Sequence, residues 1–158
     1  MTIKKKWEVL LFCLGLVVAA VMTAPPAHAV LGESAESVAS DCATMGAVRG
    51  ATTVRNGYTI EEVVSDSTTI REYIAPSGIV FGIAWNGLVN PDLSKLLGNY
   101  AGDYDEAQRT TPPAPGKRSY QLRTNRLVVE KWGHMRNLQG RAYAPALIPT
   151  GANADEIR

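Results

Sequence analysis

The stretch Ile70 to Gly87, IREYIAPSGIVFGIAWNG, most constrains what this chain can fold into. Two apolar runs flank Pro76-Ser77-Gly78, residues suited to a tight turn. A strand sends alternate side chains to opposite faces. On that period Ile79, Phe81, Ile83 and Trp85 form a large apolar face, and Val80, Gly82 and Ala84 a small one. The large face builds a core. The small face lets another element approach at Gly82, because an interior glycine otherwise weakens a strand. Upstream, Ile70 and Ile74 share a face with Glu72 between them, while Arg71 and Tyr73 point the other way. Tyr58 to Val64 alternates and carries β-branched residues. With a turn at Ser65-Asp66-Ser67, the segment Tyr58–Asn86 is predicted as a three-stranded antiparallel meander.

The flanks supply the rest of an α+β fold. Ala35, Val38, Ala39, Cys42 and Met45 recur at helical spacing behind Ser34, which predicts an N-terminal helix from Ser34 to Val48. Asn90-Pro91-Asp92 reads as the start of a short Leu-rich helix with Leu93, Leu96 and Leu97 on its apolar side, ended by Gly98. Tyr100, Tyr104 and Ala107 extend it as a looser turn. Thr110 to Lys117 is a proline-rich loop, read as a spacer. A strand from Leu127 to about His134 and a return over Asn137–Ala144 bring the antiparallel sheet to about five strands, with both helices packed on it. Residues 150–158 read as an irregular polar tail lying partly on the surface, after a single domain over 30–149.

The N-terminus speaks to compartment. Lys4, Lys5 and Lys6 precede the apolar run Val9–Met22, and Ala27-His28-Ala29 offers small residues at peptidase positions. That order is a secretory signal. The run has 14 residues, against about 20 for a bilayer span. Residues 1–29 are therefore expected to be cleaved, with the mature chain starting near Val30; an uncleaved anchor is the competing reading. Removing three lysines and one glutamate takes the net charge from +1 to −1. A nearly neutral chain is no electrostatic match for nucleic acid or an anionic membrane surface. Cleavage leaves one cysteine, Cys42, and one histidine, His134. No internal disulfide is then possible. Cys42 is a buried thiol on a helix face, or else a reactive or intermolecular one.

Motifs for catalysis are sparse. There is no Gly-x-Ser-x-Gly elbow and no phosphate-cradling glycine loop. One cysteine and one histidine cannot make a typical zinc site. Asp103-Tyr104-Asp105-Glu106 lacks the glycine and the distant glutamate of a calcium loop, so it reads as a solvated acidic helix start. The sequence calls for no metal and no cofactor. The cluster most able to bind something is Glu130–Arg136, EKWGHMR. Trp132, His134 and Arg136 would share a strand face if the strand persists, with an indole to stack and a guanidinium to grip an anionic or sugar-like ligand. The plain structural account of the same residues is an amphipathic edge strand.

Taken together, REYIAPSGIVFGIAWNG, PDLSKLLGNY and GHMRNLQGRAYAPALIPTG resemble the bacterial exported proteins grouped as domain of unknown function 2844 (DUF2844). The resemblance covers nearly all of the chain after the signal. It implies export from a Gram-negative-type cell and a single domain, and it carries over no catalytic residue. The expected function is a non-enzymatic periplasmic or secreted module that binds an envelope protein or a small ligand. The alternatives are a cell-envelope hydrolase using Glu72, His134 or Arg136, and a small inhibitor-like accessory domain.

Overall fold

The computed structural model describes residues 30–35, 48–112 and 116–158. Its frame is one antiparallel sheet of seven strands: β1 Val48–Arg55, β2 Tyr58–Val64, β3 Thr68–Ile74, β4 Val80–Gly87, β5 Ser119–Arg123, β6 Val128–His134 and β7 Asn137–Tyr143. Their spatial order is β1-β2-β3-β4-β7-β6-β5. The predicted meander is present as β2, β3 and β4, with Glu61 opposite Glu72 and Glu72 opposite Ile83. The predicted return is the β6–β7 hairpin, closed by His134 opposite Asn137. Between β4 and β5 the chain crosses to the far edge through α1, Leu93–Leu96, and the ten-residue α2, Ala101–Thr110.

The expected architecture of about five strands with an N-terminal helix is overturned. Two edge strands, β1 and β5, bring the sheet to seven, and the substantial helix among the described residues is α2 in mid-chain. Every residue of β1 is exposed and β5 buries only Leu122, so neither strand shows the inside–outside alternation that betrays a strand in sequence. The helix expected over Ser34–Val48 fails at both described ends. Ser34 bridges Ile79, with Gly32 and Glu33 exchanging hydrogen bonds with Val80, while Val48 pairs with Val64. Residues 36–47 of that expected helix lie outside the described residues. So do the signal segment 1–29 and Cys42.

The cap of α1 also differs from expectation. Asp92 accepts from the Ser94 N–H at 3.1 Å. Asn90 is occupied elsewhere: its Oδ1 accepts from the indole Nε1 of Trp85 at 3.1 Å. Trp85 is buried, and a buried indole N–H needs an acceptor.

Hydrophobes pack on both faces of the sheet. On one face Leu31, Ile83, Trp85 and Val129 meet Leu93, Leu97 and Tyr104 from the helical crossover. On the other, Tyr58, Tyr73, Phe81, Val128 and Tyr143 meet Ile157. Phe81 departs from simple alternation. Tyr73 faces Gly82 and Ile74 faces Val80, so Phe81 is the extra residue of a bulge. The bulge moves Phe81 away from Ile83 and Trp85 onto the second face. There it stacks edge-on against Tyr58 and Tyr73, with ring centroids 5.9 and 6.1 Å away.

The second face is roofed by the segment after β7. Arg141 Nη1 donates to the carbonyls of Ala154 (2.9 Å) and Ile157 (3.3 Å), and Tyr73 Oη donates to the main-chain oxygen of Arg158 (2.9 Å). Ile157 is fully buried. It fills the space that Gly82 leaves open: a Cβ on Gly82 would lie 2.7 Å from Ile157 Cδ1. The close approach expected at Gly82 is thus made by the segment expected to be a polar tail. Its polar sequence hides one apolar anchor held largely through main-chain oxygens. Ile157→Ala should cost about 2–4 kcal/mol of stability, read as a lowered urea midpoint, with Ile157→Val costing about 0.5–1.5 kcal/mol.

Candidate functional site

A cleft of about 770 Å³ opens where this roof meets β1, β2 and β3. Strand periodicity builds its first wall. Tyr58, Ile60 and Glu62 are alternate residues of β2 and so share a face. The register places Arg55 opposite Tyr58 on β1, and Tyr73 and Arg71 opposite Ile60 and Glu62 on β3. The second wall is Gly151, Asp155, Glu156 and Arg158. The 3₁₀ turn Ala154–Glu156 holds that wall in place through a capping box. Asn153 Oδ1 accepts from the Asp155 N–H at 3.1 Å, and Glu156 Oε2 accepts from the Asn153 N–H at 3.2 Å.

The charges lining this cleft are unevenly matched. Arg71 Nε donates to Glu62 Oε1 at 2.8 Å, and Arg71 Nη1 reaches the Arg158 main-chain oxygen at 3.4 Å. Arg55 and the Arg158 guanidinium have no carboxylate within ion-pair distance among the described residues, and Asp155 has no cation there. Elsewhere on the sheet Arg49 holds Glu61, and Arg141 Nε holds Glu130 at 2.6 Å. At the cleft floor the Tyr58 hydroxyl titrates above its usual range. Burial is the main cause, and the Glu156 carboxylate adds to it by its charge and by a hydrogen bond.

The residues singled out in the sequence lie elsewhere. Trp132, His134 and Arg136 are gathered in the β6–β7 hairpin, but β6 ends at His134 and Arg136 sits in the turn with φ 68°. Trp132 is half-buried, and its Nε1 donates to Gln139 Oε1 at 3.0 Å. His134 and Arg136 are exposed, as is Met135 between them at 89%. The 770 Å³ cleft takes no residue from this hairpin. Glu72 is buried on the face that the helices cover, in one row with Ile83. Alternation along β6 from Val128 puts His134 on the opposite face, so the fold does not bring Glu72 and His134 together. Asp103 of the acidic helix start pairs with Arg126 at 3.2 Å. Among the described residues no three His, Cys, Asp or Glu side chains gather as metal ligands would. No helix among them is long and apolar enough to cross a membrane.

The profile of the family described as protein of unknown function (DUF2844) matches residues 27–157. The chain belongs to the DUF2844 family. The DUF2844 match spans all seven strands, both helices and every residue of the cleft except Arg158. No curated protein and no solved structure matches this DUF2844 chain.

The cleft residues were missed in sequence because Arg55 and Asp155 stand in segments without apolar periodicity, about 100 residues apart. The Asn56-Gly57 pair beside Arg55 was the available signal, since Asn-Gly between alternating residues marks a hairpin. The raised Tyr58 value has a consequence for stability. A group that holds its proton more tightly when folded stabilises the fold fully below its unfolded value, about 10 for tyrosine. That contribution is lost as pH rises through the higher folded value. Tyr58→Phe, which keeps the ring against Phe81, should therefore flatten the loss of stability above about pH 10, measured by urea unfolding across the alkaline range.

Proposed function

We propose that this DUF2844 chain is an exported, non-enzymatic binding module whose ligand seat is the cleft between β1–β3 and the roofing segment. The observation that carries this reading is the pattern of charge: among the described residues the side chains of Arg55, Arg158 and Asp155 line one cavity without an ion-pair partner, whereas Arg49, Arg71 and Arg141 each hold a carboxylate. Unmatched charge in a concave site is where a ligand gains charge-assisted hydrogen bonds at low desolvation cost. The volume falls within the roughly 300–1,000 Å³ of small-molecule sites. Export is supported by the Lys4–Lys6 patch, the apolar run and Ala27-His28-Ala29. A periplasmic or secreted location follows from that reading.

A second reading has its own observation. Met135 projects from the hairpin tip, and Arg136 beside it adopts a left-handed backbone that non-glycine residues seldom take. An envelope protein docking there would use Trp132, His134 and Arg136. One experiment separates the two. Amide NMR shifts are mapped on the mature protein while the small-molecule fraction of a periplasmic extract is added. Shifts at residues 53–58 and 151–158 that vanish in Arg55→Ala/Arg158→Ala support the cleft. Absence of any change there refutes it. If the protein fraction instead broadens residues 132–136, the hairpin is the contact. Export itself predicts a mature N-terminus at Val30, read by sequencing the periplasmic protein.

A further inference from the structure

The chemistry of the two walls narrows what the cleft takes. Its lining carries three guanidiniums, Arg55, Arg71 and Arg158, and three carboxylates, Glu62, Asp155 and Glu156. Lining side chains whose charges cancel give a polyanion such as a polyphosphate little overall attraction, and the same holds for a polycation. Of the six, Arg71 and Glu62 neutralise one another, while Glu156 keeps its charge beside Asp155 on the roof and accepts from the Asn153 N–H. The charges left over stand on separate walls. Arg55 projects from the end of β1, while Asp155 comes from the roofing segment and is not within ion-pair distance of it. Arg158 adds a second cation at the roof. Fixed charges of opposite sign held apart across a cavity match a molecule that carries both signs at its two ends. A neutral sugar would leave both of them without a counter-charge.

Resting on the cleft as the ligand seat, we propose that the ligand is a small zwitterion of the free-peptide type, its carboxylate on Arg55 and its ammonium on Asp155. Ile157 and the main-chain clamps from Tyr73 and Arg141 hold the backbone that carries Asp155 in place against the sheet, so the acidic end of the site is positioned before a ligand arrives.

The test titrates the mature protein with four probes while amide shifts are followed by NMR: the dipeptide Ala-Ala, its N-acetyl form, its C-terminal amide, and maltose as a neutral polar molecule. The free dipeptide is expected to shift residues 53–58 and 151–158 saturably. Blocking either end should weaken binding about tenfold or more, the worth of one charge-assisted hydrogen bond. Arg55→Gln should erase the preference over the amide, and Asp155→Asn the preference over the acetylated form. Both positions are exposed, and the spectrum itself reports whether each variant is folded. Equal binding of all three dipeptides, or binding of maltose alone, overturns the zwitterion while leaving the cleft as the seat. If none of the four shifts the cleft at millimolar concentration, the zwitterion falls, while the cleft as ligand seat stands or falls on the titration with the small-molecule fraction.

Discussion

Two-sided burial of the central strand pair governs this fold. β4 and β7 lie at the middle of the sheet, and Val80 through Trp85 are buried without interruption. A strand covered on both faces needs something on each side, and the chain supplies two different covers. The helical crossover lies over Ile83 and Trp85, and the segment after β7 lies over Phe81, Gly82 and Ala84. Each cover depends on a missing side chain in the central pair. Gly82 admits Ile157 on one face. Gly140, opposite Trp85, admits the indole on the other, where a Cβ would lie 2.2 Å from the ring. These are close-packed contacts in which even one added carbon must displace something.

That arrangement makes the candidate site. The roof crosses only part of the second face, because its anchors, Tyr73, Gly82 and Arg141, sit over the middle of the sheet. Toward β1 the sheet extends beyond the roof, and the gap between them is the cleft. One wall is a sheet face and the other a segment clamped to it, so their separation is set by the packing of Ile157. Stability of the second core and geometry of the cleft are therefore linked through the same anchors, Ile157 and the clamps from Tyr73 and Arg141. Of the charges that line the cleft, Arg71 and Glu62 pair across strands, whereas Arg55, Asp155 and the Arg158 guanidinium have no ion-pair partner among the described residues.

Much of the interior could be read from residue pattern. The meander, the β6–β7 hairpin and the close approach at Gly82 follow from alternation, turn residues and one interior glycine. The edge strands could not be read that way, because β1 exposes every residue and β5 buries one. The parity of Phe81 was also hidden: a bulge adds a residue to one strand, and that count depends on the partner. Of the candidate sites, the hairpin trio was visible as a local cluster, while the cleft joins residues from opposite ends of the described chain.

By itself, the sequence determined the β2–β3–β4 meander and the β6–β7 hairpin, since both depend on local period and turn chemistry. It also carries the DUF2844 pattern over residues 27–157. Only the tertiary structure decided that the polar-looking final segment folds back to complete a core, and that Arg55 and Asp155 come to line one cavity. The reason is that a single buried isoleucine and a few main-chain hydrogen bonds leave no periodic trace. Their energy depends wholly on a sheet assembled from strands far away in the chain.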